Sequence, residues 1–309
     1  MEQKNWNARK VMAALIMCAS IVIAATLAGW HVIHPESDAA KRGDGQKIAV
    51  PKSRPREPAR AEPDLLASLV SSHRLEPGIA RRVGDKAFVT ERTPEYRPPG
   101  DAAAIVATLL PASQRGEADA TYRIYLLAKE CEEAISPSAI SSYQLIRPLA
   151  PSYPQHLANL MKECEGLLTD PAMPRRGHWL SLAAEQGSVE AAVVYSLDIE
   201  QIVGGPKAWV EHPEQVIEYK RKAVVYLERA AALGNINALS ALSDTYEAGF
   251  VVPADPVKAL AYQEVVERVD PSDANRWLRD RLSKEMSQSQ LQDARQQASQ
   301  IYETCCIRH

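Results

Sequence analysis

Hydrophobic and polar positions fall along this chain in three regimes. Val11 to Trp30 is a run of twenty residues without a single charge. From His34 to Gly100 no apolar period is sustained, because nine prolines and scattered charges interrupt it. Beyond Gly100 the apolar positions return at helical spacing, as in Trp277, Leu278, Leu282, Leu291, Ala294, Ala298 and Tyr302, with Gln, Ser and Arg between them. Periodicity of that kind predicts an all-α region over 101–309, closed by a helix pair with a polar outer face.

The helical part repeats itself. Trp179-Leu-Ser-Leu-Ala183-Ala184-Glu-Gln-Gly187 and Tyr226-Leu-Glu-Arg-Ala230-Ala231-Ala-Leu-Gly234 match position for position, 47 residues apart, and Ala191 and Ala238 keep the same offset. Tyr226 and Tyr262 lie 36 residues apart, near the length of a two-helix repeat. Gly187 and Gly234 stand just past alanine-rich helices, where a left-handed residue ends a helix at little cost. Ala230, Ala231, Ala238, Ala241 and Ala259 let paired helices approach, while Leu239, Leu242, Tyr246, Leu260 and Tyr262 fill between them. Gly249 ends one helix, and Asp255-Pro256 starts the next with a cap and a first-turn proline. A single pair cannot bury its own apolar face, so pairs must stack.

Ala238, Leu242, Tyr246, Gly249, Val252, Asp255, Ala259 and Tyr262 together resemble the Sel-one-like repeat family, relatives of the tetratricopeptide repeats. Ser243 and Val251 stand where the family has glycine, and Val266-Glu267 replaces its double alanine, as in a degenerate terminal repeat. The resemblance covers Trp179 to Tyr262 well, and Gly100 to Leu168 reads as two further divergent helix pairs. It implies a tetratricopeptide-like α/α-solenoid and a protein-binding scaffold, with no cofactor. The longer 47-residue spacing contains an insertion, Ile202 to Gln215, that includes Trp209 and His212. Insertions on one face of such a stack often carry recognition, which makes Trp209 and His212 the candidate partner contacts; the alternative is that Trp209 folds back onto its own helices.

Lys4, Arg9 and Lys10 precede the uncharged run, and Trp6 and Trp30 bracket it. Twenty residues of helix span about 30 Å, enough for a bilayer core, and the basic flank favours a cytoplasmic amino end. The organisation expected is a tail over 1–10, a transmembrane anchor over 11–33, a disordered proline-rich linker over 34–100 and the repeat domain over 101–309. That places the repeats on the periplasmic side of an inner membrane. The rival reading is a signal peptide cut near Thr26-Leu27-Ala28, which also exports the rest. Fully flexible, the linker would span about 45 Å. Leu65-Leu66-Ala67-Ser68-Leu69-Val70 is its one apolar island, which Asp64 would cap as a short helix, transient or docked.

Charge changes the picture of partners. Residues 34–100 hold 13 basic and 10 acidic side chains, whereas residues 101–309 hold 20 basic and 28 acidic. An acidic folded part argues against nucleic acid, whose phosphates need a basic footprint. A protein or peptide of the cell envelope is the expected partner.

With Cys18 inside the apolar run, four cysteines remain in an exported, oxidising space. Cys131 and Cys164 share the context Lys-Glu-Cys-Glu 33 residues apart, each late in a predicted helix, so a bridge between them is favoured over two buried free thiols. Cys305, Cys306 and His309 end the chain, where a vicinal or intermolecular disulfide is a better reading than a metal site. There is no Gly-x-Ser-x-Gly, His-Glu-x-x-His, phosphate loop or dinucleotide fingerprint. No catalytic, metal or cofactor residues are therefore assigned, and no enzyme activity is expected. The alternative is an envelope hydrolase or wall-polymer-processing enzyme built on the helical scaffold, with carboxylates on distant helices.

Overall fold

A computed structural model describes residues 64–92, 99–136 and 153–307, which contain thirteen helices and two short strands. They belong to a compact unit that begins at Arg60. The Val11–Trp30 run and the linker up to residue 63 lie outside the described residues, as does His309. Among the described residues no helix is long and apolar enough to cross a membrane.

Beyond Gly100 the expected helices form. Helix α2 (Ala102–Gln114) and α3 (Ala118–Ala134) make the first pair, followed by α4 (Tyr153–Thr169), α5 (Arg176–Gln186) and α6 (Val189–Tyr195). Two short helices, α7 (Ile199–Ile202) and α8 (Pro206–Glu211), lead into α9 (Pro213–Ala232) and α10 (Ile236–Ala248). Helices α11 (Pro256–Val269), α12 (Asp273–Ser283) and α13 (Gln288–Cys305) complete the chain. Helices α2, α3, α5, α6, α9, α10, α11 and α13 pack in that succession, each on the next. Of the two further helix pairs expected between Gly100 and Leu168, the described residues show three helices, α2, α3 and α4.

Most of the residues that recur at fixed spacing are buried. Trp179, Ala183, Ala191, Tyr226, Ala230, Ala238, Tyr246 and Ala259 are all buried, and Tyr262 stacks on Tyr246 with ring centroids 5.9 Å apart. Asp255 caps α11 by accepting from Lys258 N at 3.1 Å, and Gly249 caps α10. Ser243, where the family has glycine, is buried and donates its hydroxyl to the Ala259 carbonyl at 2.8 Å. A small residue suffices at that close approach of α10 and α11, and the hydroxyl leaves no polar atom unpaired.

One boundary differs from expectation. Residues 64–92 are not part of an unfolded linker but a folded strap. It consists of α1 (Leu65–Ser71), capped by Asp64 as predicted, and an antiparallel hairpin of β1 (Ala80–Arg82) and β2 (Phe88–Thr90). Leu69, Leu75, Phe88 and Val89 enter the core. Proline and charge suggested a segment with too little apolar surface to fold alone; the helices supply the surface it lacks.

The strap runs across the helix turns at one edge of the stack. The His73 carbonyl accepts from Asp119 N at the α2–α3 turn, 2.9 Å, and the Arg74 carbonyl accepts from Val189 N at the α5–α6 turn, 3.1 Å. Phe88 N donates to the Gly234 carbonyl at the α9–α10 turn, 2.9 Å, and Lys86 N donates to the Cys306 carbonyl after α13, 3.4 Å. This explains the glycines further. Both have left-handed backbones, φ 94° at Gly187 and φ 84° at Gly234. A Cβ on Gly234 would also stand 2.9 Å from the carbonyl oxygens of Lys86 and Cys305, so a side chain there would push the strap away.

Candidate partner-binding surface

The insertion predicted over Ile202 to Gln215 folds as α8 and the start of α9, not as an open loop. Trp209 is half-buried: its indole N–H donates to the Gly204 carbonyl, and its ring lies 6.1 Å from that of Phe250. Of the two readings of Trp209, the geometry matches the one in which it folds back. Lys220 Nζ stands 4.4 Å from the centroid of the Phe250 ring, adding a cation–π contact to the same cluster. His212 is exposed at the junction of α8 and α9, with Nδ1 3.6 Å from Glu214 Oε1.

Large aliphatic side chains are left in water in and beside the insertion. Val210 is 82% exposed and Ile217 is 68% exposed, and Leu197, between α6 and α7, is 74% exposed. Sequence reasoning looked for an aromatic anchor and passed over these three. For Ile217 the signal was available: it falls out of phase with the buried Tyr219, Ala223, Tyr226 and Leu227 of α9. Trp277 is likewise 63% exposed rather than buried, with Arg281 over its ring at 5.6 Å.

The ionisable clusters are occupied by structural pairing. Arg92, at the end of the strap, binds Glu190 through Nε at 2.6 Å and Nη2 at 2.7 Å, and its Nη2 lies 2.6 Å from Glu76 Oε2. Burial pushes the Glu190 carboxyl up, against the pull of the guanidinium. Burial also opposes charge on Arg92, but hydrogen bonds to Glu190 and Glu76 outweigh it and its pKa is raised. The cluster therefore pins the strap to the first turn of α6 as an ion pair.

His73 Nδ1 lies 3.4 Å from Asp119 Oδ2 and 3.7 Å from Glu117 Oε2, a trio of metal-ligand types. It sits at the amino end of α3, where the helix dipole favours anions over cations, and Arg115 already donates to Glu117 Oε1 at 2.8 Å. These groups read as polar contacts that fasten the strap to the start of α3.

Cys131 and Cys164 are joined, as expected, with Cα atoms 5.4 Å apart and both side chains buried. The bridge fixes α4 to α3. Cys305 and Cys306 form a vicinal disulfide, buried where the strap meets the end of α13.

No protein-family model matches the chain. No curated protein matches it either. Among solved structures, it is similar in part to a protective antigen present in uropathogenic Escherichia coli strains, described as displaying an SLR fold. Identity is 17% and the TM-score 0.31, over 65% of this chain and 41% of that one, so this chain spans less than half the antigen's length.

Proposed function

We propose that the protein is a non-enzymatic scaffold that binds a protein or peptide of the cell envelope through a stack of Sel-one-like helical repeats. In this reading the Val11–Trp30 run tethers it to the inner membrane, with the repeats on the periplasmic side. The observation that carries the binding role is the aliphatic surface in and beside the insertion. Val210 and Ile217 are each more than two-thirds exposed, on α8 and the start of α9, which the Trp209–Phe250 contact and Lys220 over the Phe250 ring hold together. Large apolar side chains presented by a preformed surface suit partner contact, since little ordering entropy remains to be lost. The twenty uncharged residues and their basic flank support the tether.

Crosslinking on intact membranes, with protease accessibility read from the same sample, tests both parts. The expected result is a full-length membrane-bound chain cleaved only from outside, with an envelope protein enriched by the wild type and lost in a Val210→Asp/Ile217→Asp double variant. A shortened soluble product would remove the tether. A partner retained in full by the double variant would remove the insertion from the binding surface.

A further inference from the structure

A half-open cleft of about 170 Å3 lies where the strap crosses the α5–α6 turn and meets α9. Its apolar wall includes Val189, Ala192 and Leu233, and its rim carries Arg74, Arg229 and the Tyr226 ring. No carboxylate lines it, although acidic side chains outnumber basic ones 28 to 20 over residues 101–309. Glu185, whose charge reaches Tyr226, is taken up by Lys222 Nζ at 2.6 Å.

The rim groups are uncommitted. Arg74 is aimed by one hydrogen bond, from Nε to the Gly187 carbonyl at 3.1 Å, and its terminal nitrogens have no partner among the described residues. A Cβ on Gly187 would stand 3.1 Å from that same Nε, so glycine there also clears the path of the guanidinium. Arg229 and the Tyr226 hydroxyl have no hydrogen-bond or ion-pair partner among the described residues either. The other polar side chains at the cleft are spent: Gln186 donates to the Ser113 carbonyl at 2.9 Å, and Ser188 caps α6. Two guanidiniums sharing a cleft without a counter-charge are set to receive an anion.

We propose that this cleft binds a carboxylate on a short aliphatic stem, as a glutamate side chain of a partner peptide presents it. The guanidiniums and the tyrosine hydroxyl would take the carboxylate, and the apolar wall would take the methylenes. Inorganic phosphate would meet the same rim but gain nothing from the wall. The volume, similar to that of a cavity that holds benzene, admits one such group and not a nucleotide. This inference rests on the reading of the protein as a peptide-binding scaffold.

Fluorescence anisotropy with the full chain tests it, using a labelled glutamate-rich peptide, its glutamine counterpart, and inorganic phosphate as competitor. The glutamate peptide should bind saturably and the glutamine peptide at least about tenfold more weakly, as expected for loss of a charge-assisted hydrogen bond. Arg229→Gln should weaken the glutamate peptide by a similar factor; that residue is exposed and makes no internal bond, so its variant keeps the fold. Arg74→Gln should do the same, with circular dichroism reporting whether the strap stays folded. Equal binding by wild type and Arg229→Gln, equal binding of the two peptides, or phosphate binding without peptide binding each overturns the proposal. The two readings separate in the membrane crosslinking experiment. Partner capture without glutamate-peptide binding leaves the scaffold and removes the cleft. Peptide binding that depends on Arg229, without any partner captured, does the reverse.

Discussion

Arg92 stands between Glu190 and Glu76 and is the cation that both carboxylates face. Replacing it by alanine leaves Glu190 buried without a counter-charge, at a cost of about 3 kcal/mol, read as a lower urea midpoint. The cost should depend on pH in a definite direction. Without its guanidinium, Glu190 keeps only upward pushes, from burial and from the Glu76 charge, so its folded pKa lies above its unfolded value. Such a carboxyl supports the fold below the unfolded pKa and loses that support as pH rises through the folded one. The gap in Tm between wild type and Arg92→Ala should therefore narrow in acid; a gap that widens would contradict the burial of Glu190. Tyrosines set a second limit at the alkaline end. Burial raises Tyr195 and Tyr219, and it pushes Tyr262 up to about 12. Their contribution is present below pH 10 and lost as pH climbs through the folded values. Absorbance at 295 nm should show tyrosinate arriving late and together with unfolding. The buried repeat residues were legible one by one, since small, aromatic and glycine positions recur at fixed intervals. Arg92 was not, because its partner Glu190 lies 98 residues away and nothing local announces a pair.

At the scale of elements, the helices and their stops were readable from Gly187, Gly234, Gly249 and Asp255. As a helix stop or start, each of these acts through its own backbone or its nearest neighbours. The strap was misread for the opposite reason. Its composition describes what it can bury alone, whereas Leu69, Leu75 and Phe88 bury against helices distant in sequence. The hairpin did leave a trace, one of only two phenylalanines in the chain, in Ala87-Phe88-Val89 just after Gly84-Asp85. Phe88→Ala should cost about 3–5 kcal/mol, the range for truncating a fully buried aromatic side chain. A chain begun at residue 100, where composition placed the boundary, should melt well below one begun at residue 60. Equal melting temperatures would mean that the strap is not part of the cooperative unit.

For the molecule as a whole, two disulfides act where the helix stack needs fastening. The Cys131–Cys164 bridge closes a loop of 33 residues, and its removal by Cys131→Ser/Cys164→Ser should cost about 3–4 kcal/mol in the chain-entropy view. Loss of that size, seen in guanidinium melts and reproduced by reduction of the wild type, is the expected result. This pairing was legible because the two cysteines share one local context on neighbouring helices. The binding surface was less so. A tryptophan in an insertion signals that something packs there, but not whether the other wall is a partner or, as for Trp209, Phe250 of the same chain.

The strap also determines how the unit yields to a pull on its amino-terminal side. Its attachments follow one another in space: His73 at the first turn, Arg74 at the second, then the hairpin at the third turn and beyond α13. Tension entering ahead of Asp64 would load them in sequence, like a zipper, and not in parallel like a bolted plate. The peak force is then that of the strongest single attachment, not their sum. The helical stack would be spared until the last of them gives way.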